Sequence, residues 1–120
     1  MSVKIRPIEV WGSITVTSDG AYDPGDPYFL DSGDVGVVMG LNSVASGDAV
    51  ELMIQGIADA VAASATTFSA GASVDWDKNN ETSIASTSGS DYARLGYAFE
   101  AKTSGQTVVR LKINATAPTP

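Results

Sequence analysis

Turn-forming clusters recur along the chain and leave little uninterrupted sequence between them. Asp23 to Pro27 (DPGDP), Ser32 to Asp34, Ser46 to Asp48, Ser69 to Gly71, Asp77 to Thr82 (DKNNET), Ser86 to Asp91 and Thr103 to Gly105 are rich in Gly, Asn, Asp and Ser. These residues supply the positive φ angles and local side-chain hydrogen bonds that tight turns need. Most intervals between them are too short for helices and read as strands: Ser13–Thr17, Tyr28–Leu30, Val35–Met39, Ala49–Gln55, Ile57–Ala62, Ala72–Trp76, Arg94–Glu100 and Thr107–Ile113. In the last, Val109, Leu111 and Ile113 alternate with Val108, Arg110 and Lys112, giving one apolar and one mixed face. Small turns at Ser32, Ser46, Ser69 and Ser104 each lead into an apolar segment. Their spacing is uneven, so they read as one strand-starting device used repeatedly and not as a solenoid repeat.

One stretch competes. Between Asp48 and Ala65, Val50, Met53, Ile54, Ile57, Ala58 and Val61 fall at helical spacing behind Asp48 and Glu51, which resemble a capping box. Gly56 would sit mid-helix at a cost of ~1 kcal/mol relative to Ala, and a lone helix would have to pack on a β framework. Two strands meeting at Gly56 are the preferred reading. The 120 residues suit a single core, and the expected fold is all-β, a small single-domain β-barrel or β-sandwich with an extended N-terminal arm. Residues 1–22 form the expected arm and first strand, 23–114 the compact β domain and 115–120 a flexible tail. Pro7 cannot donate to a sheet ladder, so Val3 to Val10 reads as an edge strand or a free arm.

Composition narrows the chemistry. With no cysteine and no histidine, the chain lacks the thiol nucleophile, the thiolate metal site and the commonest general base. Its formal charge of −7, with the cations scattered singly, disfavours binding to a phosphate backbone. No basic start leading into an apolar stretch and no long apolar run point to a signal peptide or a membrane span. Gly33, Gly36 and Gly40 fit neither dinucleotide nor P-loop spacing, and no S-x-x-K motif offers an activated serine. No catalytic residue, cofactor site or metal site is identified.

Three other patterns have a plain reading beside the functional one. Asp75, Asp77, Asn79 and Glu81 place oxygen ligands at alternate positions, but an EF-hand would need Gly where Asn80 stands, a bidentate Glu where Ser86 stands, and flanking helices. A polar hairpin turn with Asn79 and Asn80 in left-handed angles is preferred. The tripeptides starting at Asn80 and Asn114 match a glycosylation acceptor and are read as coincidence. Trp76, Tyr92 and Tyr97 could form a sugar-stacking platform, although aromatics in β domains more often anchor cores.

The order of short patterns from about Tyr22 to Asn114 resembles the tailed-phage capsid cement, or head decoration, proteins, whose members have often been labelled RecA-like phage recombinases. P-G-D-P (Pro24 to Pro27) precedes V-G-V-V (Val35 to Val38), then A-S-G-D-A-V-E-L (Ala45 to Leu52) leads to Q-G-I-A-D (Gln55 to Asp59). S-A-G-A-S-V-D-W-D (Ser69 to Asp77), L-G-Y-A-F-E-A (Leu95 to Ala101) and G-Q-T-V-V-R-L (Gly105 to Leu111) follow. The chain departs from the family's pattern at Ile57 to Asp59, where relatives tend to carry a larger apolar or aromatic residue, and in the length of its N-terminal lead. The recombinase label is contradicted by the missing phosphate loop and by the acidic charge.

The resemblance implies a structural role without catalysis: a small homo-oligomer on the outer surface of the phage head, made in the host cytoplasm, that ties major capsid subunits together. By analogy with decoration proteins a trimer is preferred over a dimer, and neither nucleic acid nor membrane is an expected partner. The expected capsid-binding residues are Val3, Ile5, Ile8, Val10 and Trp11, acting through strand addition to a capsid edge. A carbohydrate-binding β module is the alternative.

Overall fold

A computed structural model describes residues 3–87 and 89–114, and the tail expected at 115–120 lies outside the described residues. Eight strands form: β1 (Ile5–Thr17), β2 (Pro27–Phe29), β3 (Val35–Val38), β4 (Ala49–Val61), β5 (Ser73–Asp77), β6 (Thr82–Ala85), β7 (Tyr92–Ala98) and β8 (Val108–Ile113). Among the described residues there is no helix.

The stretch with helical spacing is β4, one strand instead of the expected two. It runs through Gly56 because that glycine adopts φ +145°, and a Cβ there would lie 2.1 Å from the Glu9 carbonyl oxygen on β1. The glycine also changes which residues face inward. Met53 before it and Ala58 and Ala60 after it share the main core, an odd interval that strict alternation forbids. The apolar spacing therefore imitates a helix because the strand shifts its phase halfway along.

All pairings between strands are antiparallel, in the order β2-β3-β4-β8-β7-β5-β6 with β1 added to β4. β4 organises the sheet. On one side it pairs with β1 from Ile5↔Ala60 to Thr17↔Ala49, and on the other first with β3 and then with β8 from Gly56↔Ile113 to Val61↔Val108. The sheet curls into a half-barrel, and a single bridge between Ala62 and Ser83 brings β6 back to the end of β4. Trp76, Leu95, Leu111, Ile113, Val74 and Phe68 fill its interior. A second cluster on the opposite face of β3 and β4 packs Tyr28, Val38, Val50 and Leu52 beneath Tyr22, Leu30 and Val44.

Two polar side chains close gaps that the ladders leave. Asn114, just beyond β8, donates from Nδ2 to the carbonyls of Val35 (2.7 Å) and Ile54 (2.8 Å), and its Oδ1 accepts the Val35 N–H at 3.2 Å. It thereby joins β3, β4 and β8 where β4 changes partner. Lys102, 2 % exposed, donates its ammonium to the carbonyls of Ala63 (3.1 Å), Thr66 and Thr103 (3.4 Å). A buried ammonium is tolerated when its donors are matched in this way.

Candidate interface: the β1 edge and the bare sheet face

Among the described residues β1 pairs with no strand but β4, so beyond Ile5, whose outward N–H is taken by the Gly25 carbonyl, one side of this strand is an open edge. Its start shows which way the backbone faces. The Lys4 carbonyl accepts the Val61 N–H on β4 (2.9 Å), whereas the next residue, Ile5, donates its N–H away from β4 to the Gly25 carbonyl (3.0 Å). Register shifts around Ile8 and Trp11 interrupt the alternation of side chains further along. The segment expected as an extended arm is thus an edge strand from Ile5 onward, held along its length to the domain.

The five expected contact residues divide. Ile5 is fully buried in the main core, so its side chain anchors β1 and is not available to a partner. Val3, Ile8, Val10 and Trp11 are exposed, each between about two-fifths and one-half. Val3 lines a shallow apolar groove with Pro7, Pro24, Met39 and Gly40. Trp11 keeps its indole N–H on Glu9 Oε1 at 2.8 Å.

Trp11 leads to a group of residues that the sequence does not place together. The Lys112 ammonium on β8 lies 5.4 Å from the Trp11 ring centre, 5.7 Å from that of Tyr97 and 5.4 Å from that of Phe99. On the same outward phase of β8, Arg110 makes a two-point bond to Asp59 (2.9 and 3.1 Å), and Val108 is half exposed. The outer face of the sheet is therefore divided. Its β3 side is covered by Tyr22, Tyr28, Leu30 and Val44, while the aromatic group around Lys112 on the β8 side is open. The mixed outward face of Val108, Arg110 and Lys112 was the available sequence signal, but only folding brings Trp11 and Phe99 to it.

The acidic loop is a turn built on Asp77. Its Oδ1 accepts the N–H groups of Asn79 (3.0 Å) and Asn80 (3.2 Å), and Oδ2 accepts the Asn80 side-chain amide (2.9 Å). The left-handed residue is Glu81 (φ 55°), not Asn79 or Asn80 as expected. Glu81 pairs with Lys4 at 3.0 Å, and Asp75 accepts the Thr87 N–H at 2.9 Å. These oxygens thus serve separate structural partners. Among the described residues no three acidic side chains are grouped to hold a metal ion.

The backbone N–H of Asn80, helped by its side chain and by Asn79, holds the Asp77 carboxyl below the usual carboxylate range against the opposing effect of burial. Because the folded-state value is depressed, the associated stability is present above the unfolded value near ~3.9 and is lost as pH falls through the lower folded value. Urea midpoints measured downward from pH 5 are expected to fall more steeply in the native protein than in Asp77→Asn. Parallel profiles would contradict this role for Asp77.

The three aromatics considered for sugar stacking do not form a platform, because Trp76 is 1 % exposed in the core. The side-chain amides of Asn80 and Asn114, the two acceptor-like positions, are donated to Asp77 and to backbone carbonyls.

An all-β domain with an open strand edge and an uncovered aromatic face has the features of a binding module whose function is spread over a surface. A family model described as phage cement protein matches residues 8–113, and the chain belongs to that family. The family is structural and associated with the bacteriophage capsid. No curated protein matches the chain, and no solved structure does.

Proposed function

We propose that this protein cements the phage head from outside, binding as a small homo-oligomer and tying neighbouring major capsid subunits together. The observation that carries this reading, given the family, is the open edge of β1 beyond Ile5, flanked by exposed Val3, Ile8, Val10 and Trp11. An open edge offers N–H and C=O groups to a strand of the capsid, and the apolar side chains beside it supply specificity. A trimer is favoured over a dimer by analogy with decoration proteins. Several copies of a modest contact held rigidly together raise avidity by ~10² to 10⁴, so no single surface has to bind tightly. The net charge of −7 keeps the free protein soluble and away from nucleic acid.

A free arm could be deleted without harming the domain. β1 cannot, since its loss would strip β4 of a partner and remove Ile5 from the core. Substitution is the cleaner test. Ile8→Lys combined with Val10→Lys is expected to abolish co-sedimentation with undecorated heads while leaving the melting temperature within a few degrees of native, because both side chains are exposed. Unchanged decoration by this variant would overturn the role given to the β1 edge.

A further inference from the structure

We propose that the bare outer face centred on Lys112 docks a protein surface that presents a carboxylate surrounded by apolar side chains. This rests on the cement reading and names the chemistry of the partner at a second part of the interface. In a chain with 14 acids and 7 cations, a lysine has an excess of possible partners. Lys4 pairs with Asp26 and Glu81, and Arg110 with Asp59. Among the described residues no carboxylate forms an ion pair with Lys112, whose ammonium lies beside the Trp11, Tyr97 and Phe99 rings instead.

Aromatic rings attract an ammonium without neutralising it. They also exclude water from part of its surroundings, so an incoming carboxylate meets a cation that is already positioned and partly desolvated. Such a pair gains more than one formed in open water. The rim supplies the apolar part of the contact, since Trp11, Phe99 and Val108 are each between two-fifths and about one-half exposed. Large aromatics around a charged centre are the composition of interface hot spots. The rest of the protein's charge opposes a polyanion such as nucleic acid, so a single carboxylate on a protein surface is the fitting occupant.

The test is a binding isotherm on undecorated heads for the native chain and for Lys112→Glu, Lys112→Arg and Phe99→Ala, with melting temperature as a control for folding. Lys112→Glu is expected to weaken binding about thirtyfold or more, and Phe99→Ala about tenfold. Lys112→Arg is expected to bind close to native, because a guanidinium can stack on rings and pair with a carboxylate. Native affinity in both Lys112→Glu and Phe99→Ala would overturn this inference and leave the cement reading standing. Equal loss in Lys112→Arg and Lys112→Glu would overturn the carboxylate assignment. Failure of the native chain to bind heads would overturn the cement reading and this inference with it.

Discussion

Gly96→Ala is expected to prevent stable folding, at a cost beyond about 4 kcal/mol. Gly96 lies on β7 with φ +153°, where a Cβ would stand 1.8 Å from the Lys112 carbonyl oxygen, 2.9 Å from its carbon and 3.2 Å from the Asn114 nitrogen. All three are backbone atoms, so no change of side-chain rotamer can relieve the clash. The strands β7 and β8 would have to separate, and that would open the main core along Leu95, Leu111 and Ile113. Circular dichroism and equilibrium denaturation read the effect directly. A soluble Gly96→Ala protein with the native unfolding midpoint would contradict the close approach of these two strands.

Asn114→Ala is expected to cost about 3–5 kcal/mol, from two sources. Val35 loses partners for both its N–H and its carbonyl, and the Ile54 carbonyl loses one. The backbone at Asn114 is also left-handed, with φ 56°, which alanine tolerates poorly. Asn114→Gly separates the two contributions. It keeps the backbone conformation and removes the bonds, so it should be more stable than Asn114→Ala by roughly 1 kcal/mol. Denaturant midpoints for the two variants measure that difference, and native stability in both would contradict the stapling role.

These two positions show where the sequence is readable and where it is not. Strand after strand could be placed from turn chemistry, because Gly, Asp, Asn and Ser act locally. Pro7 argued against a central strand for the same reason, its missing N–H being a local property, and left an edge strand or a free arm. A glycine in a sequence such as this looks like punctuation, whereas Gly56 and Gly96 each let a strand continue while shifting which side chains face the core. Leu95 and Ala98 both lie in the main core across Gly96, as Met53 and Ala58 do across Gly56. That function depends on the carbonyls of Glu9 and Lys112, which belong to distant segments.

The proposed interface was legible in part. The apolar character of Val3, Ile8, Val10 and Trp11 suggested a contact surface, but Ile5 has the same chemistry and lies inside. Alternation could not separate them, since bulges around Ile8 and Trp11 disturb the phase of β1. Trp76 shows the opposite case: an aromatic flanked by acids in sequence lies in the main core, while the two neighbouring aspartates accept backbone N–H groups. The grouping of Trp11, Tyr97 and Phe99 at Lys112 joins three strand regions, and the sequence carries only its β8 part, as the mixed face of Val108, Arg110 and Lys112.

The most direct measurement is amide hydrogen exchange of the native protein, free and bound to undecorated heads. Heads are expected to slow exchange along β1 from Arg6 to Thr17 and around Phe99, while the Asp77 to Thr82 turn is unchanged. No slowing in β1 at saturating heads, or protection confined to the β5–β6 hairpin, would contradict the claim that this protein binds the capsid through its open edge and bare face.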